Sequence, residues 1–206
     1  MIKKLNIPTS TDEIKRLRIG QSVLLSGVMI TGRDAFHKWI HDTFISKTKP
    51  ATQQDLEILD QLKLILNNGV IYHCGPVVSG LDSKHYRFVA AGPTTSMREE
   101  PYQADVIKMF NLRGIIGKGG MGPKTLNACH ESPAVYFHAI GGAASLIAEC
   151  VTEVVGVHKL EFGVPEATWI IRVKDLPVIV TMDAHHASLH SSVREQSSVN
   201  LERLLS

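Results

Sequence analysis

Three short stretches set a single cation among glycines and hydroxyls: Thr31-Gly32-Arg33-Asp34, Gly92-Pro93-Thr94-Thr95-Ser96-Met97-Arg98 and Gly117-Lys118-Gly119-Gly120-Met121-Gly122. Glycine lets a backbone approach a ligand closely, and free loop N–H groups favour anions. An arginine can grip a carboxylate with two parallel hydrogen bonds, while a lysine supplies a point charge. Three such turns suit a small molecule with two carboxylates. Composition and spacing show no self-sufficient acid–base pair, nucleophilic triad or metal cage.

Each stretch also has a plainer reading. Residues 117–122 match G-x-G-x-x-G between a strand and a helix, but a dinucleotide site needs an acid about 20 positions on, closing the next strand. That strand ends at Ile140-Gly141-Gly142. A phosphate-binding P-loop is excluded because Gly119, not Ser or Thr, follows Lys118; a tight turn with a solvated lysine stays open. Ser96-x-x-Glu99 fits a helix-capping box. A helix starting there would put Pro101 past its first turn, where an N–H is wanted, so a start near Pro101 leaves residues 94–98 as a loop. Arg33 pairing with Asp34, or capping its own loop, is the alternative to a ligand role.

The elements that must position these turns follow from apolar patterning. Strands are expected at Lys3–Ile7, Ser22–Ile30, Val70–Cys74, Tyr86–Ala91, Leu112–Ile116 and Ala134–Ile140. Helices are expected after Thr11, taken as a cap, and around Phe36, Trp39 and Ile40. Further helices are expected from Gln53 to Leu66 with Leu56, Leu59, Leu62 and Leu66 inward, after Pro101 and Pro123, and from Ala143 to Thr152. Residues 43–51 read as a loop. Trp169–Val173 and Val178–Met182, separated by Lys174–Pro177, read as a hairpin. The result is a mixed α/β domain with a partly parallel sheet and flanking helices over residues 1–190, then a tail or docking helix over 191–206.

Across 206 residues, 44% apolar and 20% charged content allow a substantial core, and a net charge of +2 argues against a broad nucleic-acid surface. Neither a signal peptide nor a membrane-spanning run is apparent, so a cytoplasmic location is expected. The three cysteines, Cys74, Cys129 and Cys150, have no C-x-x-C spacing and read as reduced thiols, with no metal assigned. Of ten histidines, His185, His186 and His190 cluster; His186 and His190 are expected on one helix face, without an accompanying carboxylate pattern.

The two Gly-rich stretches, in this order and spacing, resemble the β subunit, or C-terminal domain, of the class I iron–sulfur hydro-lyases: fumarate hydratase and L(+)-tartrate dehydratase. The likeness extends to residues 31–34, Tyr72-His73-Cys74-Gly75-Pro76, Gly141-Gly142-Ala143-Ala144, Gly163-Val164-Pro165-Glu166 and Trp169. Residues 41–68 are longer than the family pattern. The resemblance implies a swivelling β/β/α domain. It implies a four-iron–four-sulfur cluster carried by a partner α subunit, an α2β2 assembly with β–β pairing, and a small dicarboxylate substrate. It assigns substrate binding to Arg33, Thr95, Arg98, Lys118 and Gly119, and the base at the substrate carbon to Thr94. Fumarate and L-malate are the favoured pair. L-tartrate, giving oxaloacetate, is the alternative, as is a stand-alone dicarboxylate-binding module.

Overall fold

Alternation along each strand decides which of two cores a side chain enters. Val70 and Tyr72 face one core and Ile71 the other; Ile116 and Ile115 divide likewise, as do Val135 and Phe137 against Tyr136. The computed structural model describes residues 2–205. Its nine strands are β1 (Lys3–Ile7), β2 (Ser22–Thr31), β3 (Val70–Tyr72), β4 (Val77–Ser79), β5 (Arg87–Ala90), β6 (Gly114–Gly117), β7 (Val135–His138), β8 (Val151–His158) and β9 (Thr168–Met182). The seven α-helices are α1 (Thr11–Lys15), α2 (Asp34–Ile40), α3 (Gln53–Leu66), α4 (Glu100–Phe110), α5 (Pro123–Glu131), α6 (Ala144–Glu149) and α7 (Leu189–Leu205).

The main sheet runs β1-β2-β3-β6-β7-β9-β8, and β9 also pairs with β2. That second pairing closes β2, β3, β6, β7 and β9 into a ring. The β1/β2, β2/β3, β3/β6 and β6/β7 pairs are parallel, and β9 is antiparallel to its neighbours. The expected mixed α/β architecture is therefore present. One core joins the inward strand residues to α1, the β4–β5 hairpin and α6; the other lies under α2 to α5. Strands β2, β3 and β6 all end at one edge, and the loops that leave there carry Arg33, His73 and Lys118.

Several local expectations are corrected. The hairpin at 174–177 is one continuous strand, β9. A bulge at Asp175, with φ 52°, absorbs one extra residue against β2 and keeps Val173 and Leu176 buried. The helix at 143–152 ends at Glu149, and Val151 opens β8, a strand with no clean apolar alternation. Strand β4 was likewise not foreseen. Ser10, not Thr11, caps α1, in a reciprocal box with Glu13, and the helix stops at Lys15. In α3, Leu56 is exposed and Ile58 takes the buried place. His41–Ile45 continues α2 as a π-helical turn instead of a loop. Among the described residues, no helix is long and apolar enough to cross a membrane.

The long 41–68 segment is tied down at one buried carboxylate. Asp55 accepts from the Thr52 backbone at 2.9 Å, the Thr52 hydroxyl at 2.7 Å, the Trp39 indole at 3.0 Å and Lys159 Nζ at 2.5 Å. Lys159 also lies 4.7 Å from the centre of the Trp39 ring. Its charge and these hydrogen bonds hold Asp55 well below the usual carboxylate range, against the opposing effect of burial. Lys159→Met strands a buried anion and is expected to cost about 3 kcal/mol. The urea midpoint at pH 7 reads this. Because the Asp55 pKa is depressed by folding, the difference should shrink as the pH falls below about 4; a pH-independent difference would mean the pair is not the source.

Candidate functional site

Two loops are joined by a short parallel ladder. Lys118 N–H donates to the Thr94 carbonyl at 3.1 Å, and Ser96 N–H donates to the Lys118 carbonyl, also at 3.1 Å. Thr94 N–H donates to the His73 carbonyl at 2.8 Å, fixing the same loop to the end of β3. The approach requires glycine at 117. A Cβ there would stand 1.8 Å from Ser96 Oγ. Gly120, at φ 74°, lies against the His190 ring, where a Cβ would stand 2.3 Å from the imidazole.

The ladder opens one side of a shallow cavity of about 370 Å³, lined by Arg33, Pro93, Thr94, Thr95, Arg98 and Lys118. All three expected cations and both threonines thus meet in one space. Gly119 does not line it, but stands beside Thr95, 3.9 Å from that methyl group to its Cβ direction. Larger clefts lie beside Arg87 and Glu149 and along α7, yet neither gathers three cations.

The cations are partly neutralised within the chain. Arg33 Nη1 lies 3.1 Å from Glu166, and Arg98 pairs with Asp34 at the surface. The alternative pairing of Arg33 with Asp34 is therefore replaced by a partner 133 positions away. Among the described residues, Lys118 makes no ion pair, which leaves one net positive charge at the cavity. Two polar atoms of the lining, Thr94 Oγ1 and Arg33 Nε, are buried without a hydrogen-bond partner among the described residues.

One anion site suggested by the glycine-rich turn is filled from inside. The Glu100 carboxylate accepts from the N–H groups of Gly122 at 2.8 Å, Lys124 at 3.0 Å and Thr125 at 3.3 Å, and from the Thr125 hydroxyl at 2.6 Å. It caps α5, so the start of that helix is satisfied without an external ligand. Ser96 does not cap a helix; its hydroxyl joins His73 and Tyr136, each at 2.8 Å. The C-terminal histidines diverge. His185 meets the Lys15 carbonyl, His186 stacks on His130 and His190 meets Thr181. His186 sits in a turn at φ 62°, ahead of α7, so it does not share a helix face with His190. Among the described residues, no group of three His, Cys, Asp or Glu side chains is arranged to hold a metal ion.

The chain matches the Fumarase C-terminus family over residues 2–193. It belongs to that family. A Geobacillus stearothermophilus member named "Putative fumarate hydratase class I" is 44% identical over 200 residues, which is 97% of this chain; the chain spans 35% of that relative's length. The Escherichia coli K12 L(+)-tartrate dehydratase subunit beta is 33% identical over 190 residues, 92% of this chain and 87% of the subunit. A Methanocaldococcus jannaschii protein named "Putative L(+)-tartrate dehydratase subunit beta" is 34% identical over 195 residues, 94% and 93% respectively.

Around this Fumarase C-terminus site the structure adds Glu100, His37 and Gln103, which no motif signalled, and gives contacts to Glu166, His73 and Glu99, which lay within motifs but carried no assigned role there. Glu99 is fully buried, with neither carboxylate oxygen hydrogen-bonded. Burial first, then the nearby Asp34, pushes its pKa up to about 7, although Arg98 and Arg33 pull the other way. The folded chain therefore keeps this proton longer than the unfolded chain does. Stability from the neutral acid is complete below about pH 4.5 and is lost as the pH rises through 7. Glu99→Gln should raise stability at pH 8 by up to about 3 kcal/mol and by little near pH 4.5, read from urea midpoints. Equal midpoints at pH 8 would rule out the buried-acid account.

Proposed function

We propose that this chain is the β-type part of an iron–sulfur hydro-lyase that interconverts fumarate and L-malate. The observation that carries the reading is the cavity: three cations around a buried threonine hydroxyl with no protein partner. In this reading Arg33, Arg98 and Lys118 take the two substrate carboxylates, with Thr95 and the Gly119 backbone completing the grip. Thr94 Oγ1 exchanges the proton at the substrate carbon. An alkoxide is unfavourable at neutral pH; the adjoining positive charges favour the anionic form and lower that cost.

The cysteines do not fit a cluster held by this chain. Cys74 lies in one core and Cys129 in the other, on opposite faces of the sheet, and Cys150 packs against the first, so the three thiols do not converge on one group. We assign the four-iron–four-sulfur cluster to an α part. A cytoplasmic α2β2 assembly, with residues 1–190 as the domain and the C-terminal helix as a docking element, belongs to the same proposal.

L(+)-tartrate is the second reading. It is favoured by matches of 33–34% to tartrate dehydratase β subunits across 87–93% of their length, against a higher identity to the fumarate hydratase relative. A substrate hydroxyl separates the two, and one polar contact can decide between them.

Anaerobic turnover of the chain with a matching α partner on fumarate, L-malate and L-tartrate tests this. Activity is expected only in the mixture, and the preferred acid selects the reading. Activity of the chain alone would overturn it. In the mixture, Thr94→Ala should lower kcat by about 10³-fold with little change in KM, whereas Lys118→Met should chiefly raise KM. Near-normal kcat in a folded Thr94→Ala protein would remove the threonine from the chemistry.

A further inference from the structure

Behind the cavity, side chains from α2, α4, β7, the loop after β3 and the 94–98 loop meet in a sealed polar network. His37, His73, Ser96, Gln103 and Tyr136 all have 0% exposure, so every proton must be placed without solvent. The Gln103 carboxamide stands between two rings, 3.0 Å from His37 Nε2 and 2.9 Å from His73 Nε2. The other His37 nitrogen, Nδ1, faces the Arg33 carbonyl at 2.9 Å. His73 Nδ1 faces Ser96 Oγ at 2.8 Å, and Tyr136 O–H donates to the same Oγ at 2.8 Å.

Counting protons orients the amide. The Arg33 carbonyl can only accept, so His37 Nδ1 must carry a hydrogen. Burial holds His37 to a pKa of about 4 and His73 well below its usual value, so both rings are neutral at pH 7. A neutral ring has one N–H; His37 Nε2 is therefore bare and needs a donor. A carboxamide turned by 180° fills the same space, so the proton count decides which end faces the rings. With oxygen between the rings, His37 needs two protons and the Gln103 NH2 is buried without a partner. With NH2 between them, its two hydrogens serve both Nε2 atoms. His73 Nδ1–H then donates to Ser96 Oγ, and the groups left unpaired are the Gln103 carbonyl and the Ser96 hydroxyl hydrogen, against an unpaired NH2 and a doubly protonated buried His37 in the other orientation.

We propose that Gln103 is the positioning residue of this site: its NH2 group locks His37 and His73 as neutral Nδ1–H tautomers, which fix the Arg33 backbone and the Ser96 hydroxyl. These are the anchors of the two loops that bring Arg33, Thr94 and Arg98 to the cavity. The inference deepens the function proposed above because it concerns the same site, but its test does not use turnover.

Long-range proton–nitrogen NMR of the histidine-labelled chain reads the tautomers directly. His37 and His73 should each show a protonated Nδ1 and a bare Nε2, without titrating between pH 5.5 and 8. Gln103→Glu places an acceptor between the rings. His73 should then switch to Nε2–H, and His37 should carry both protons. Gln103→Leu should displace the backbone amide signals of Arg33 and of residues 94–98 while leaving those of β8 in place. An Nε2–H or cationic ring in the wild type would overturn the proposal. So would Gln103→Leu spectra in which Arg33 and 94–98 are unmoved. If Gln103→Leu does not fold, the wild-type and Gln103→Glu tautomers still decide. A chain that proves inactive with every α partner leaves each of these signals as readable as before.

Discussion

The two hydrogen bonds between Lys118 and the Thr94–Ser96 backbone set the register between two cavity loops that are far apart in the chain. Lys118 continues β6, while Thr94 follows the β4–β5 hairpin and is itself bonded to the end of β3. Backbone pairing at this range leaves no room for a side chain at the crossing, so Gly117 is fixed by the Ser96 hydroxyl it faces. The same pairing turns Thr94 and Lys118 toward one cavity instead of two separate loops. Arg33 joins them because β2 ends at the same edge of the sheet, alongside β3 and β6. Ligand-binding loops at the carboxyl ends of parallel strands are the expected consequence of such a sheet.

Charge around this edge is arranged in two tiers. Helix starts that would attract an anion are already occupied: Glu100 caps α5, and Glu166 accepts from Ala35 at the start of α2 while pairing with Arg33. Recognition at the cavity is thus left to side chains, chiefly Lys118, instead of helix termini. Because Glu166 and Asp34 hold the two guanidiniums, the dianion of the proposed function would exchange one carboxylate partner for another rather than fill bare charges. Exchange of this kind favours geometry over raw affinity, since only a ligand that reaches both arginines and Lys118 replaces what it displaces.

Much of this arrangement was legible in the chain because glycine, proline and cations mark turns by local chemistry. Pro101 and Pro123 placed the starts of α4 and α5, and the three cation-bearing turns did converge. What escaped was non-local. Lys174–Pro177 carries turn residues, yet buried Leu176 and pairing to Leu25 keep it in a strand. The valine-rich β8, with no fully buried residue and no clean alternation, has little pattern of its own and is a strand because β9 offers it an edge. Glu100 carries no local mark of its role, which exists only once α5 is set against it. Gln103 and His37 gave no signal, and His73 lay in a recognised stretch without a role, since their meaning lies in contacts across 30 and 66 positions.

The inner tier bears on the chemistry proposed for Thr94. His37, His73 and Tyr136 are all buried and shifted toward their neutral forms, and the same desolvation raises the Glu99 pKa to about 7, so its charge is reduced but not removed at neutral pH. A neutral interior leaves the field of Arg33, Arg98 and Lys118 to act at the cavity instead of being absorbed behind it. That interior also opposes any new charge, including an alkoxide on Thr94, whose oxygen is itself buried. The cations must therefore outweigh the desolvation that keeps their surroundings neutral. In the proposed reading a bound dicarboxylate claims part of their charge, so Lys118, which has no carboxylate partner among the described residues and is hydrogen-bonded through its backbone to Thr94, is the cation best placed to offset an anion there.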